Sequence, residues 1–282
     1  MTRYVPYEVV DVFTDQPFAG NPLAVVLDAE DLTTEQMQTI AAEFNLSETT
    51  FPTAPPAGAT YGLRIFTPQV ELPFAGHPSV GSALVLQRLG RIAAGDNVQA
   101  CGAGLLPVRV DEGAATLAGG TPTVGEPLAS APFLTALGLS GADLAGPAPR
   151  FAGVGIEFAY LLVRPSALAS VRPDLGAISA LGGTGISLVS WDGAVASTRV
   201  FPAGAGIVED PATGSAALGF GVYLAASGLL GDGEHDYVVT QGVEMGRPST
   251  LTCRVGVQDG ATTSTTVSGS AVPVARGEIR VP

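Results

Sequence analysis

Arg64-Ile65-Phe66-Thr67-Pro68 and Arg199-Val200-Phe201-Pro202 open two stretches that follow one pattern. Each passes through a short loop into a Gly-led turn, Ala75-Gly76-His77 in the first and Thr213-Gly214-Ser215 in the second. An apolar run of small residues follows. Its second glycine comes five positions after the first (Gly81, Gly219) and its closing glycine fourteen positions after it (Gly90, Gly228). The shared intervals predict a strand, a loop and a buried helix made twice, hence a pseudo-symmetric chain of two lobes. Two helix N-termini facing each other between such lobes would form an anion site.

The segments around these repeats read as strands and turns with few helices. Tyr7 to Phe13 and Leu23 to Leu27 are strand-like, the second fully apolar, and Gly20-Asn21-Pro22 between them reads as a turn. Thr33 and Gln36 have capping-box spacing ahead of Met37, Ile40, Ala41 and Phe44, which predicts an amphipathic helix over residues 34–44. Pro78 to Leu89 and Ser215 to Ala226 are the two buried helices, the first apolar on nearly all sides and so expected inside a curved sheet. Residues 97–118 read as two strands around Gly102-Ala103-Gly104. Pro132 to Leu139 reads as a short helix, and residues 166–181 carry helical signals. Gly185 to Val189 and Val195 to Phe201 return to strand. The lobe boundary falls in the Gly, Pro and Ala-rich stretch 119–149. This gives an N-terminal lobe over 1–128 and a C-terminal lobe over 129–282, with the last strands free to return to the first lobe.

Composition narrows the function. Of 282 residues 46% are apolar and only 14% charged, against the usual ~25%, which suits a compact, turn-rich fold. A net charge of −13 argues against nucleic acid or an anionic membrane as partner. All 13 basic residues are arginine. Without lysine there is no Schiff-base chemistry, no pyridoxal-phosphate anchor and no P-loop. Cys101 and Cys253 make no C-x-x-C pair or zinc spacing and read as two buried thiols. No apolar run reaches the ~18 residues of a membrane span, and no signal-peptide core is present, so a cytoplasmic protein is expected.

Three places hold candidate chemistry. Glu48 follows Ser47 at a helix-to-strand junction, flanked by Leu46 and Phe51. It is either a solvated loop carboxylate or one desolvated by these neighbours, with its pKa raised toward neutrality for proton transfer. His77 falls at the start of the first buried helix, as a structural N-cap or as a donor kept neutral by the positive helix end. His235 reads as a solvated loop residue, and two histidines so far apart make no metal site. Glu209 and Asp210 precede the second buried helix, where acids commonly cap. Alternatively Asp210 faces the site while Gly214 and Ser215 offer donors to an anion. Ser215 lacks the G-x-S-x-G elbow of a hydrolase nucleophile, and no complete G-x-G-x-x-G occurs for a dinucleotide.

Taken together, Asn45-Leu46-Ser47-Glu48-Thr49-Thr50-Phe51, Arg64 to Pro68, Glu71 to Pro78, Glu209 to Ala217 and Gln241 to Ser249 resemble the PhzF family. These are the phenazine-biosynthesis isomerases and their relatives, and the resemblance runs in order from about Tyr7 to the C-terminus. It implies the α+β diaminopimelate-epimerase-like fold, each lobe a curved sheet or barrel around a central helix. It also implies a homodimer working without cofactor or metal on a small carboxylate-bearing substrate. The two-thiol epimerases of this fold have a cysteine before each Gly-led turn, where this chain has Ala75 and Thr213, so a two-cysteine racemase is excluded. By resemblance Glu48 is the acid/base, supported by Ser47, Gly76, His77, Asp210, Gly214 and Ser215. The implied reaction is isomerisation of trans-2,3-dihydro-3-hydroxyanthranilate. The competing readings are an epimerase or isomerase of another metabolite using the same site, and a non-catalytic small-molecule binder of the same fold.

Overall fold

A helix apolar on every side must be surrounded by other elements, and both glycine-marked helices are. In the computed structural model, which describes residues 2–282, the chain forms two compact units. One runs to Ala118 and includes Ser268–Pro282, and the other is Gly119–Val267.

The first unit contains β1 (Tyr4–Val12), β2 (Asn21–Val26), α1 (Thr34–Phe44), β3 (Glu48–Thr53), β4 (Tyr61–Phe66), β5 (Glu71–Leu72) and α2 (Gly76–Arg88). It continues through β6 (Gly95–Cys101), β7 (Gly104–Asp111) and β8 (Ala114–Ala118). The C-terminal strand Ala271–Arg280 pairs antiparallel with β1. From β1 the ladder runs antiparallel to β2, parallel to β3, antiparallel to β4, parallel to β6 and antiparallel to β7. These strands curve around α2, which packs on β1, β2, β3, β7 and β8. Every residue of α2 from Gly76 to Leu86 is buried. Gly81 is small because a Cβ there would lie 2.6 Å from Val12 Cγ2 and 2.7 Å from Leu23 Cδ2. The helix closes at Gly90, whose φ of 70° is left-handed. Arg91 N–H then donates to Leu86 O at 2.8 Å, a Schellman closure. Outside the sheet α1 starts at the anticipated capping box, with Thr33 and Gln36 satisfying each other's backbone N–H groups. It lays Met37, Ile40 and Ala41 against Val26, Phe51 and Phe66.

The second unit repeats the plan with β9 (Thr123–Val124), α3 (Ala131–Leu137), β10 (Arg150–Gly153), β11 (Glu157–Leu162), α4 (Pro165–Leu168), α5 (Leu175–Ala180), β12 (Ile186–Trp191) and β13 (Val195–Phe201). After these come α6 (Gly214–Ala226), β14 (Gly233–Gln241), β15 (Ser249–Gln258) and β16 (Ala261–Gly269). From β10 the ladder runs antiparallel to β11, parallel to β12, antiparallel to β13, parallel to β14 and antiparallel to β15. That is the order of directions found around α2. Helix α6 is buried from Gly214 to Ala225 and ends, like α2, on a left-handed glycine, Gly228, with Leu229 N–H donating to Leu224 O at 3.0 Å. Two strand tyrosines tie the sheet to this helix. Tyr160 and Tyr237 donate to the carbonyls of Ala216 and Ala217 at 2.8 and 2.7 Å. Burial pushes both phenols well above their ordinary pKa, so they remain donors. On the other face of β11–β13, Phe133, Leu134, Leu137, Leu168 and Ile178 from α3, α4 and α5 cover Leu161, Leu188 and Phe201.

Several local expectations change. Residues 97–118 hold parts of three strands rather than two, because Glu112-Gly113 makes a further hairpin turn with Gly113 at a φ of 77°. The helical signals over 166–181 resolve into two short helices, since Pro173 interrupts them. Asn21 is the first residue of β2, not part of a turn. His235 lies in β14 rather than in a loop, partly buried, with Nε2 2.7 Å from Gly231 O. Cys253 is buried as expected, its thiol pushed up by desolvation, whereas Cys101 is only half-buried at the end of β6.

Candidate active site

The first unit gathers its chemistry at one end of its sheet. Strands β2 and β3 are parallel and begin at Asn21 and Glu48, with Leu23 paired to Glu48. Helix α2 points its N-terminal turn at the same place. Glu48 is 8% exposed at the first position of β3, so it is a buried strand residue and not a solvated loop carboxylate. Its Oε2 lies 3.4 Å from His77 Nε2. His77 is the second residue of α2 and not its N-cap. That position belongs to Ala75, which supplies no side-chain bond. Burial lowers the His77 pKa to about 3, so the ring is neutral across the physiological range.

The opposite ring nitrogen meets a residue that sequence reasoning missed. Asn21, fully buried, places Nδ2 3.2 Å from His77 Nδ1. Ser47 Oγ donates to Asn21 Oδ1 at 3.0 Å. Ser47, Asn21 and His77 are therefore linked by hydrogen bonds, and Glu48 Oε2 lies 3.4 Å beyond the ring, at an ion-pair distance rather than in a hydrogen bond. An asparagine between glycine and proline is accounted for by turn chemistry, so it carried no signal of this role. Gly76, the first residue of α2, leaves its N–H in the positive end of the helix, where intrahelical acceptors are lacking. Below the turn a buried polar ladder fixes the helix start. Tyr61 donates to Gln99 Oε1 at 3.1 Å, Gln99 to Ser79 Oγ at 2.9 Å, and Ser79 to Ala75 O at 2.9 Å.

The second unit places Asp210, Gly214 and Ser215 together at the start of α6, all buried or nearly so. Asp210 is held at its backbone on both sides. Its N–H donates to Val200 O at 3.1 Å and its carbonyl accepts from Gln241 Nε2 at 2.7 Å. Thr213, the N-cap, donates its hydroxyl to Asp210 Oδ2 at 2.5 Å. Gln241 also donates to Thr213 Oγ1 at 2.9 Å and accepts from Thr213 N–H at 3.2 Å. Gln241 thus sets the geometry of the Asp210–Thr213 turn. It opens one of the motifs quoted above, yet its partners lie at least 28 residues away and could not be read from spacing. Glu209 is engaged elsewhere, in a bidentate pair with Arg199 at 2.9 and 2.8 Å. Among the described residues no group of three or more histidine, cysteine, aspartate or glutamate side chains is placed to hold a metal ion. No helix among them is long and apolar enough to cross a membrane.

Residues 10–277 match the phenazine biosynthesis-like protein family, PhzC-PhzF. The chain belongs to the PhzF family. It is 36% identical to the trans-2,3-dihydro-3-hydroxyanthranilate isomerase of Pseudomonas fluorescens, over 97% of this chain and 98% of that protein. Among solved PhzF structures, that of the Bacillus anthracis phenazine biosynthesis protein is 26% identical, with a TM-score of 0.87 over 98% of this chain and 99% of that one. A hydroxyproline epimerase from Agrobacterium vitis, 12% identical, shares the fold with a TM-score of 0.65 over 99% of this chain and 93% of that one. This PhzF-family chain is accordingly an isomerase with the α+β fold common to these proteins.

Proposed function

We propose that the protein is a cofactor-independent isomerase in which Glu48 moves a proton within a small carboxylate-bearing substrate, with trans-2,3-dihydro-3-hydroxyanthranilate as the leading candidate. The observation that carries this reading is the buried Glu48 carboxylate 3.4 Å from a neutral His77. A carboxylate with little water around it can take a proton from carbon and return it before exchange with solvent is complete.

In this mechanism Glu48 removes the proton from the ring carbon bearing the hydroxyl group and returns it elsewhere on the conjugated system. Substrate and product differ only in where that proton sits, so no redox partner is consumed. Asp210 orients the substrate's polar groups. The N-terminal turn at Gly76 receives the charge that builds on the substrate's carboxylate in the transition state, and the resemblance assigns Gly214 and Ser215 to substrate binding. The 36% identity to a relative named for this reaction supports the substrate assignment. We also propose a homodimer, on the resemblance alone, which sedimentation analysis would test.

The test is conversion of trans-2,3-dihydro-3-hydroxyanthranilate in deuterated water, followed by NMR, for wild type and Glu48→Gln. Conversion by wild type with deuterium in the product, and none by the variant, is the expected result. Full activity of the variant would sink the role of Glu48. No conversion by either would overturn the substrate and direct a search to other small carboxylates.

A further inference from the structure

Asn21 is a buried polar residue of the first unit that the proton transfer does not itself require. We propose that Asn21 is a positioning residue that locks His77 as its Nε2–H tautomer, so that a neutral imidazole permanently presents an N–H to Glu48. In its consequence for turnover this rests on Glu48 being the proton carrier. In its structural content it does not.

The two ends of the ring lead to the same assignment. His77 is neutral, so one ring nitrogen carries hydrogen and the other a lone pair. Nε2 faces a carboxylate oxygen at 3.4 Å. A lone pair there would face the lone pairs of the carboxylate oxygen, whereas an N–H is attracted to them. Nδ1 then holds the lone pair and needs a donor, and the Asn21 amide nitrogen is 3.2 Å away. The amide must turn its oxygen the other way, where the Ser47 hydroxyl donates to it at 3.0 Å. Ser47 precedes Glu48 directly, so the same β2–β3 junction that places the carboxylate also orients the amide that sets the tautomer. The 3.4 Å approach is not a hydrogen bond in this structure, so what the ring offers Glu48 is the positive end of a nearby N–H dipole.

The tautomer can be read directly. Long-range proton–nitrogen NMR on histidine-labelled protein distinguishes a pyridine-type from a pyrrole-type nitrogen, and His235→Asn removes the other histidine's signals. Wild type is expected to show a pyridine-type Nδ1 and a pyrrole-type Nε2, unchanged between pH 8 and pH 5. Asn21→Asp offers an acceptor in place of the donor. It should move hydrogen onto Nδ1 and lower kcat by ~10²-fold or more, with a much smaller change in KM. Hydrogen on Nδ1 in wild type would overturn the proposal without recourse to any variant. So would Asn21→Asp with wild-type kcat. Glu48→Gln separates the two readings. Activity retained there defeats the proton carrier, while the wild-type tautomer still decides for or against Asn21.

Discussion

The two units build the same scaffold and equip it differently. Aligning their ladders through the repeated strands makes the difference concrete. Phe66 pairs with Thr49 in the first unit, and Phe201 with Ile186 in the second. The residue before each partner is Glu48 in one case and Gly185 in the other. Carried across the parallel pairs, Thr49 to Ala24 and Ile186 to Ala159, the same register sets Asn21 against Ile156. The Gly-led turns set His77 against Ser215. The whole Asn21–His77–Glu48 set is thus present in one copy. At the same places the second copy has an aliphatic residue, a glycine and a hydroxyl, and its own acid, Asp210, lies in a loop three residues longer (Phe66 to Gly76 spans ten positions, Phe201 to Gly214 thirteen). Repetition conserved what α2 and α6 need to stay buried. It did not conserve the titrating groups, because a sheet wrapped around a helix can carry any side chain at its strand ends.

The largest effect should come from that asymmetry. Glu48→Gln is expected to lower turnover by about 10³-fold or more with unchanged circular dichroism, whereas Ser215→Ala should cost about 10-fold by removing one donor. Equal losses in the two variants would mean that the units share the proton transfer.

A shared device comes next. Arg64 and Arg199 each sit over a phenylalanine of their own strand, 5.1 Å from Phe66 and 5.2 Å from Phe201, and each pairs with an acid. Each also reaches a helix on the outside of its unit, Arg64 at Thr34 Oγ1 (2.9 Å) and Arg199 at Leu168 O (2.7 Å). The Arg64–Glu71 side chains are 29% and 38% exposed, but those of Arg199–Glu209 only 11% and 13%. Arg199→Met should therefore cost about 3 kcal/mol in urea unfolding by leaving Glu209 uncompensated, and Arg64→Met less than about 1 kcal/mol.

The paired glycines sharpen the comparison further. A Cβ at Gly81 meets the ends of Val12 and Leu23, which can shift. One at Gly219 meets Gly153 Cα at 3.1 Å and crowds the Tyr160 hydroxyl. Gly219→Ala is expected to destabilise by about 2–3 kcal/mol and Gly81→Ala by about 1 kcal/mol, measured by urea unfolding.

The most gradual effect is in pH. His77 falls from an ordinary 6.5 to about 3 on folding. Between these values the unfolded chain binds the extra proton, so this contribution is present above pH 6.5 and is lost as pH falls toward 3. The slope is about 1.4 kcal/mol per pH unit. His77→Gln should flatten the unfolding free energy by that amount over this range, and Ser215 offers no counterpart in the second unit.

Much of this was legible before any fold was seen. The Thr33–Gln36 capping box, the limits of α1 and β13 and the two glycine-spaced helices depend on contacts within a few residues, which composition and spacing report. Glu48 and His77 were found by type and by resemblance, but their separation was not. Asn21 escaped because a turn explained it sufficiently. His77 was assigned to the N-cap, two positions short of its place in the helix, because Ala75 supplies no capping side chain to mark the helix start.

The sequence by itself determined that a strand, a loop and a small-residue helix are made twice, since close packing of a buried helix demands glycines at fixed intervals. Only the tertiary structure decided that Glu48 is buried 3.4 Å from His77, and that Asn21 meets His77 across 56 residues. Strand register and burial settle both, and these follow from pairings between distant segments that no local pattern records.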